Sequence, residues 1–311
     1  MSDAHASATG TAAPAEVTAS VSAPVPVPAS GPAAAPTAVR LDPGALADPP
    51  ALRDAVRALD EAGVRGIVLG DDGASGADAL TTAAWLGPAT AQAVLVPEVP
   101  VTHTEPFHVA TATATLDHVS RGRGGWSPVV QTSEAAARLT GRRPAAPLAE
   151  TWREAGEIAD VVARLWTSWE PDAEIRDEVT SRFLDREKVH YVDFTGTDSV
   201  GEEFTVKGPS IVPRPPQGEL PTLVSADSPE AAEAALAFAD VVLLAPEAGV
   251  SGEELRARAA ARSRELVVLD DGGTVTADEA LALAAGSGAA SADAPGPAAP
   301  SVPPAGAGVR R

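Results

Sequence analysis

Cysteine is absent from all 311 residues, and methionine and tyrosine occur once each. That removes disulfides, thiolate metal sites and cysteine nucleophiles. Aromatic residues make up only 4% of the chain. Basic residues are scarce too: Lys plus Arg is 23 against 43 for Asp plus Glu, a net charge of −20. Such a chain repels phosphate backbones, and no basic stripe offsets this, so neither nucleic acid nor an anionic membrane surface is expected as a partner. No apolar run reaches the ~20 residues of a membrane-spanning helix. The start, MSDAHASATG, lacks the basic segment and apolar run of a secretory signal. No Gly-rich dinucleotide fingerprint occurs. The expectation is a soluble, cytoplasmic protein.

What is present divides into three parts. Residues 1–37 are rich in Ala, Pro, Ser and Thr, as in VPVPASGPAAAP, and residues 287–311 read the same way. Without apolar periodicity, both are expected to be a disordered arm and tail. Between them, 38–286 alternates strand-like and helix-like segments. The pattern predicts strands at 39–43, 65–72, 93–100, 126–131, 221–227, 239–246 and 265–271. Helices are predicted at 50–63, 76–87, 106–120, 148–169, 229–239, 251–264 and 276–285. Short apolar strands separated by helices imply a parallel sheet, hence an α/β, TIM-barrel-like (β/α) fold. A closed barrel needs eight strands, and one is missing from this tally. Either the barrel is open, or an irregular segment or a partner fills the gap.

The stretch from Glu98 to Val130 organises the rest. Pro106 suits the first turn of a helix, with Thr104 or Glu105 available as its cap. Val109, Ala112, Leu116 and Val119 recur at helical spacing. Arg121 and Arg123 suit the helix end, and Gly122, Gly124 and Gly125 break it before Trp126 opens a strand. Farther on, 170–220 interrupts the alternation. KVHYVDF and EEFTVKG, separated by TGTDSVG, read as a β-hairpin insertion, followed by the rigid PRPPQG. Such an insertion between the fourth and fifth strands is expected near a barrel's catalytic mouth.

THTEPFH at 102–108, TLDHVSRGRGGW at 115–126 and ARLWTSWEPDAEIRD at 163–177 resemble the bacterial luciferase-like flavin-dependent monooxygenases. The similar branch includes the nitrilotriacetate, dibenzothiophene-sulfone and pristinamycin-type enzymes. KVHYVDFTG at 188–196 and FTVKGPSIVPRPPQG at 204–218 extend the resemblance, which covers roughly Val39 to Asp271. It implies an enzyme that takes reduced FMN from a separate reductase and uses O2 to oxygenate a small organic substrate. A deazaflavin F420-dependent oxidoreductase shares the superfamily, and a homodimer is one assembly left open. The rival reading is a degenerate, non-catalytic barrel homologue acting in binding or assembly.

Barrel enzymes work at the C-terminal ends of their strands, so strand-end residues are the candidates. Asp71 ends the second strand, where the resemblance implies an acid near the flavin ring; a helix cap is the other reading. His103 and Thr104 follow the third strand, and a His there can hydrogen-bond flavin or substrate or move a proton. His108 and His118 sit on the next helix and are expected to be structural, with no metal site from the three. Trp126 and Ser127 stand where much of the family has Trp-Asn, though Trp126 fits a core equally well. Leu148 and Trp152 replace a family His and Tyr that help bind flavin. Ser225, Ala226, Asp227 and Ser228 stand in for the family's phosphate-binding run before a helix N-terminus. Ser225 and Ser228 are usable donors there, whereas Asp227 either opposes the phosphate or caps the helix beginning at Pro229.

Overall fold

The structure is a computed structural model that describes residues 37–71, 77–140 and 143–288. The arm and tail lie outside the described residues, apart from Thr37, Ser287 and Gly288. The chain runs β1 (Ala38–Leu41), α1 (Pro49–Glu61), β2 (Gly66–Leu69), α2 (Ala79–Leu86), β3 (Val94–Pro100) and α3 (Pro106–Ser120). It continues with β4 (Ser127–Val129), α4 (Glu134–Thr140) and α5 (Leu148–Trp166). Two hairpins follow, β5 (Glu174–Asp177) with β6 (Arg182–Leu184) and β7 (Phe194–Thr197) with β8 (Glu203–Val206). The last part is β9 (Leu223–Ala226), α6 (Pro229–Phe238), β10 (Val241–Leu244), α7 (Gly252–Ala261), β11 (Val267–Asp270), β12 (Thr274–Val275) and α8 (Ala277–Gly288).

Local chemistry starts most helices. The Asp48, Asp78 and Ser251 side chains accept N–H bonds as N-caps of α1, α2 and α7. Thr276 and Glu279 form a reciprocal capping box at α8, with Thr276 N–H donating to Glu279 Oε2 at 2.8 Å. At α3 the cap position is Glu105, but its side chain makes no capping bond. That helix ends on Arg121 in the left-handed region, φ 59°, followed by Gly122 at 79°. Of the apolar spacing read from the sequence, Val109 and Leu116 are fully buried and Ala112 packs against the core. Val119 is exposed, while Thr113, Asp117 and Ser120 are buried. Asp117 accepts from Gly124 N–H and Gln217 N–H, which ties the helix end to strand and loop. Helix and strand approach closely here: a Cβ on Gly124 would lie 3.1 Å from the Asp117 Cα.

The sheet order is β12-β1-β2-β3-β4 in one ladder and β9-β10-β11 in another, all parallel. A parallel bridge between Trp126 and Thr222 joins β4 to β9. The chain itself joins the far ends, since only 271–273 separate β11 from β12. Thus β12 takes the place beside β1 that an eighth strand would hold, and α8 packs on α1. An irregular segment fills the gap, and no ladder pairs β11 with β12 among the described residues. Alternation along each strand gives two apolar layers. One face packs under the helices, with Leu41, Ile67, Leu95, Trp126 and Val242 buried there. The other face fills the interior with Val68, Val96, Leu223 and Leu243.

The 170–220 segment departs from the single hairpin expected. KVHYV is irregular, and the ladder begins only at Phe194, which pairs with Val206. The β5–β6 hairpin and α4 have weak alternation and short length, and the sequence pattern did not reveal them. The segment is rooted at the N-terminal ends of the barrel strands, where Gln217 meets Asp117. Only the β7–β8 hairpin rises along α5 toward the opposite end.

Candidate active site

The C-terminal ends of β3, β4 and β9 and the first turns of α5 surround a cavity of about 320 Å³. Its walls are Pro128, Val129, Val130, Leu148 and Trp152, and its polar groups are Arg40, Glu98, Ser225, Asp227 and Ser228. Small-molecule sites span about 300–1,000 Å³, so this volume lies at the lower end. A larger hollow of about 910 Å³ lies between α5 and α6 beside Leu220–Thr222, Asp240 and Arg264. Those residues precede their strands, so it opens at the N-terminal end, away from the chemistry of β/α barrels.

Arg40 and Glu98 cross the interior above the apolar plug, with Nη2 2.5 Å from Oε1. The Asp71 N–H donates to the other oxygen, Oε2, at 3.2 Å. Burial pushes the Glu98 carboxyl above its usual range; Arg40 and the Asp71 N–H pull it back, and the Asp71 and Asp227 charges raise it further. Neither Arg40 nor Glu98 was a sequence candidate. The signal was available: each is a charge inside a run that otherwise reads as buried strand, AVRL and VLVPEVP.

The sequence candidates fall into three neighbouring places. Trp152, Ser225 and Ser228 line the mouth cavity. His103 and Thr104 line a second cavity of about 270 Å³ with Arg143, Glu154 and the β7–β8 residues Asp198, Glu203 and Phe204. Asp71 lines a third, about 300 Å³, with Thr104 and His108, and its Oδ2 accepts from Ala79 N–H at the start of α2. Trp126 points outward into the core, fully buried, with its indole N–H donating to Thr222 Oγ1 at 2.9 Å. It meets Trp166 edge-on at 6.1 Å. The next residue, Ser127, therefore faces the interior, where its hydroxyl is buried without a hydrogen-bond partner. The Ser225 hydroxyl is likewise buried and unpartnered. Ser228, not Asp227, is the N-cap of α6, accepting from Ala231 N–H at 3.2 Å. That corrects the capping role open to Asp227, which stands exposed at the cavity rim. No group of three or more metal-ligating side chains occurs among the described residues, and none of their helices is long and apolar enough to cross a membrane.

A sequence profile of the luciferase-like monooxygenase family matches residues 31–285. The chain belongs to this family. It is 39% identical over 127 residues to the N-acetyl-S-(2-succino)cysteine monooxygenase of Bacillus subtilis, covering 41% of this chain and 27% of that one. With nitrilotriacetate monooxygenase component A of Aminobacter aminovorans it shares 35% over 173 residues, 56% of this chain and 37% of the relative. With dibenzothiophene-sulfone monooxygenase of Rhodococcus erythropolis it shares 36% over 182, 58% and 39%. The chain thus spans about a third of the length of these curated relatives. The fold agrees with that of a long-chain alkane monooxygenase at a TM-score of 0.67 and 20% identity, over 76% of this chain and 63% of that one. A riboflavin lyase with modified FMN gives 0.62 at 23% identity, over 76% and 62%. Family and fold thus agree: a luciferase-like family member on a TIM-barrel-like scaffold.

Proposed function

We propose that this luciferase-like chain is the oxygenating component of an FMN-dependent monooxygenase, with reduced flavin delivered by a separate reductase. The observation that carries this is the mouth cavity, where the buried, unpartnered Ser225 hydroxyl stands beside an apolar wall of Leu148 and Trp152. A buried hydroxyl without a partner is uncommon and suits a polar group of a bound ligand. Reduced flavin supplies two electrons and O2 two oxygen atoms, one entering a small organic substrate and the other leaving as water.

The chain's own residues hold, orient and exclude. Leu148, Trp152 and Val130, which line the cavity, would keep water from a bound flavin. Ser225 and Ser228 offer hydroxyls near the α6 N-terminus, where a phosphate is favoured. Asp227 opposes it: like charges about 4 Å apart cost ~1–4 kcal/mol, with the low end for an exposed group. His103 and Thr104, in a separate cavity lined also by the β7–β8 hairpin, could serve a substrate there as proton donor or acceptor.

Asp227 at the rim, together with Leu148 in place of a polar group, favours the second reading, a barrel that has lost catalysis and retains binding. An F420-dependent reaction is the third. Titration with FMN, followed by O2 uptake with a flavin reductase and NADH, separates them. Binding with O2-dependent product supports the monooxygenase. Binding of F420 alone moves the assignment to the deazaflavin enzymes, and absence of any flavin binding leaves the non-catalytic homologue.

A further inference from the structure

The hollow of about 910 Å³ between α5 and α6 takes no part in the function proposed above. Its floor is apolar: Trp166 and Leu220 are buried there, and Phe238 lies half-buried against Gly156. Its rim is acidic. Glu157, Asp160, Glu219 and Asp240 face two guanidinium groups, those of Arg153 and Arg264. Both cations are engaged with backbone carbonyls. Arg264 Nη2 donates to Ala239 O at 2.8 Å, and Arg153 Nη1 donates to Thr197 O at 3.1 Å. Glu219 and Asp240 form no ion pair among the described residues. An apolar floor under an acidic rim suits an apolar segment that also carries cations.

The sequence beyond α8 has both properties. Pro297, Pro300 and Pro303 recur at every third residue, and Arg310 and Arg311 follow. Polyproline II has three residues per turn, so these prolines share one face. Such faces dock in aromatic-lined grooves. Helices of a β/α barrel run back against the strands, so α8 ends at Gly288 on the side where the hollow opens. In the strand order, α8 beside β12 and β1 stands across the barrel from α5 and α6. A domain of ~250 residues has a radius of gyration of about 18 Å, which is a sphere about 46 Å across. Residues 289–311 extend to about 70 Å at ~3.1 Å per residue, enough to cross beneath it. We propose that residues 297–311 fold back under the barrel into this hollow, with the prolines on Phe238 and Leu220 and the arginines against Glu219 and Asp240. The tether gives an effective concentration on the order of 1 mM, so a segment of weak intrinsic affinity stays docked.

The absence of cysteine gives the full chain two clean labelling sites. One nitroxide is placed at Glu265→Cys, an exposed position beside Arg264, and the other at Ala305→Cys, just past the prolines. Pulsed dipolar spectroscopy then reads their separation. The docked segment should give one narrow distance. Pro297→Ala/Pro300→Ala/Pro303→Ala should broaden it into a wide distribution, and Arg310→Glu/Arg311→Glu should do the same. Thermal unfolding of the barrel should be unchanged in both, because none of these residues belongs to its core. A wide distribution in the labelled chain without these substitutions overturns the proposal. A narrow distance that survives either set overturns it as well. Dilution with excess unlabelled protein identifies the occupant. A distance that persists lies within one chain, as proposed, whereas one that disappears puts the segment on a second copy and overturns the proposal.

Discussion

Replacing Arg143 by Met should release the β7–β8 hairpin from the barrel. Arg143 is 14% exposed and holds two carboxylates: Nη2 lies 2.5 Å from Glu154 Oε1, and Nη1 lies 2.9 Å from Asp198 Oδ2. Glu154 is on α5 and Asp198 follows β7, so the guanidinium bridges the helix and the hairpin that covers His103. Glu154 also accepts from Ser199 N–H at 3.0 Å. Burial alone would raise the Asp198 carboxyl, but the Glu202 N–H, Arg143 and the Val200 N–H outweigh it and hold it below its usual range. Removing one partner from a buried pair costs about 3–5 kcal/mol. The lower end applies, about 3 kcal/mol, because both carboxylates keep backbone N–H donors. With a urea m-value of ~3 kcal/mol/M, the midpoint should fall by about 1 M. Hydrogen exchange at 194–206 should accelerate more than in the strands, since the hairpin is the less anchored side. The triple variant Arg143→Met/Glu154→Gln/Asp198→Asn removes every charge and should recover most of the loss. An Arg143→Met protein with an unchanged urea midpoint and unchanged exchange at 194–206 would refute the bridging role.

Three other outcomes follow from named contacts. The raised Glu98 carboxyl stabilises the fold most below its unfolded value of about 4.3, and that contribution is lost as pH rises through the folded value. The stability of the wild type relative to Glu98→Gln should therefore fall from acid to neutral pH in urea titrations; a relative stability independent of pH would count against a perturbed Glu98. Trp126→Phe removes the donor to Thr222 and some packing against Trp166, at about 1–3 kcal/mol, and a cycle with Thr222→Val should show coupling between the two sites. Asp227→Ser should tighten FMN binding several-fold in calorimetry and leave riboflavin unaffected, because only FMN carries the phosphate that Asp227 repels.

Much was legible from the chain because it depends on neighbours in sequence. Periodicity places the core strands and helices, and Pro106 and Gly122 bound α3, since helix ends obey rules a few residues long. The predicted strand ends also led to the mouth cavity: Trp152 and Ser225 both line it although 72 residues lie between them in the chain. What the tertiary structure decided are pairings over long separations, where each residue looks ordinary alone. Arg40 and Glu98 read as isolated charges until the barrel's curvature brings β1 and β3 to face each other. The place of β12 depends on the edge of β1 being free, because two residues cannot form a strand by propensity alone. Ser228 rather than Asp227 caps α6 because the chain leaves β9 with Asp227 turned to the rim, a direction set by the alternation of the strand before it. Sequence determined the scaffold and the end of it at which to look. Only the folded chain decided which polar groups are left unmet there, because hydrogen-bond satisfaction depends on everything packed around each atom.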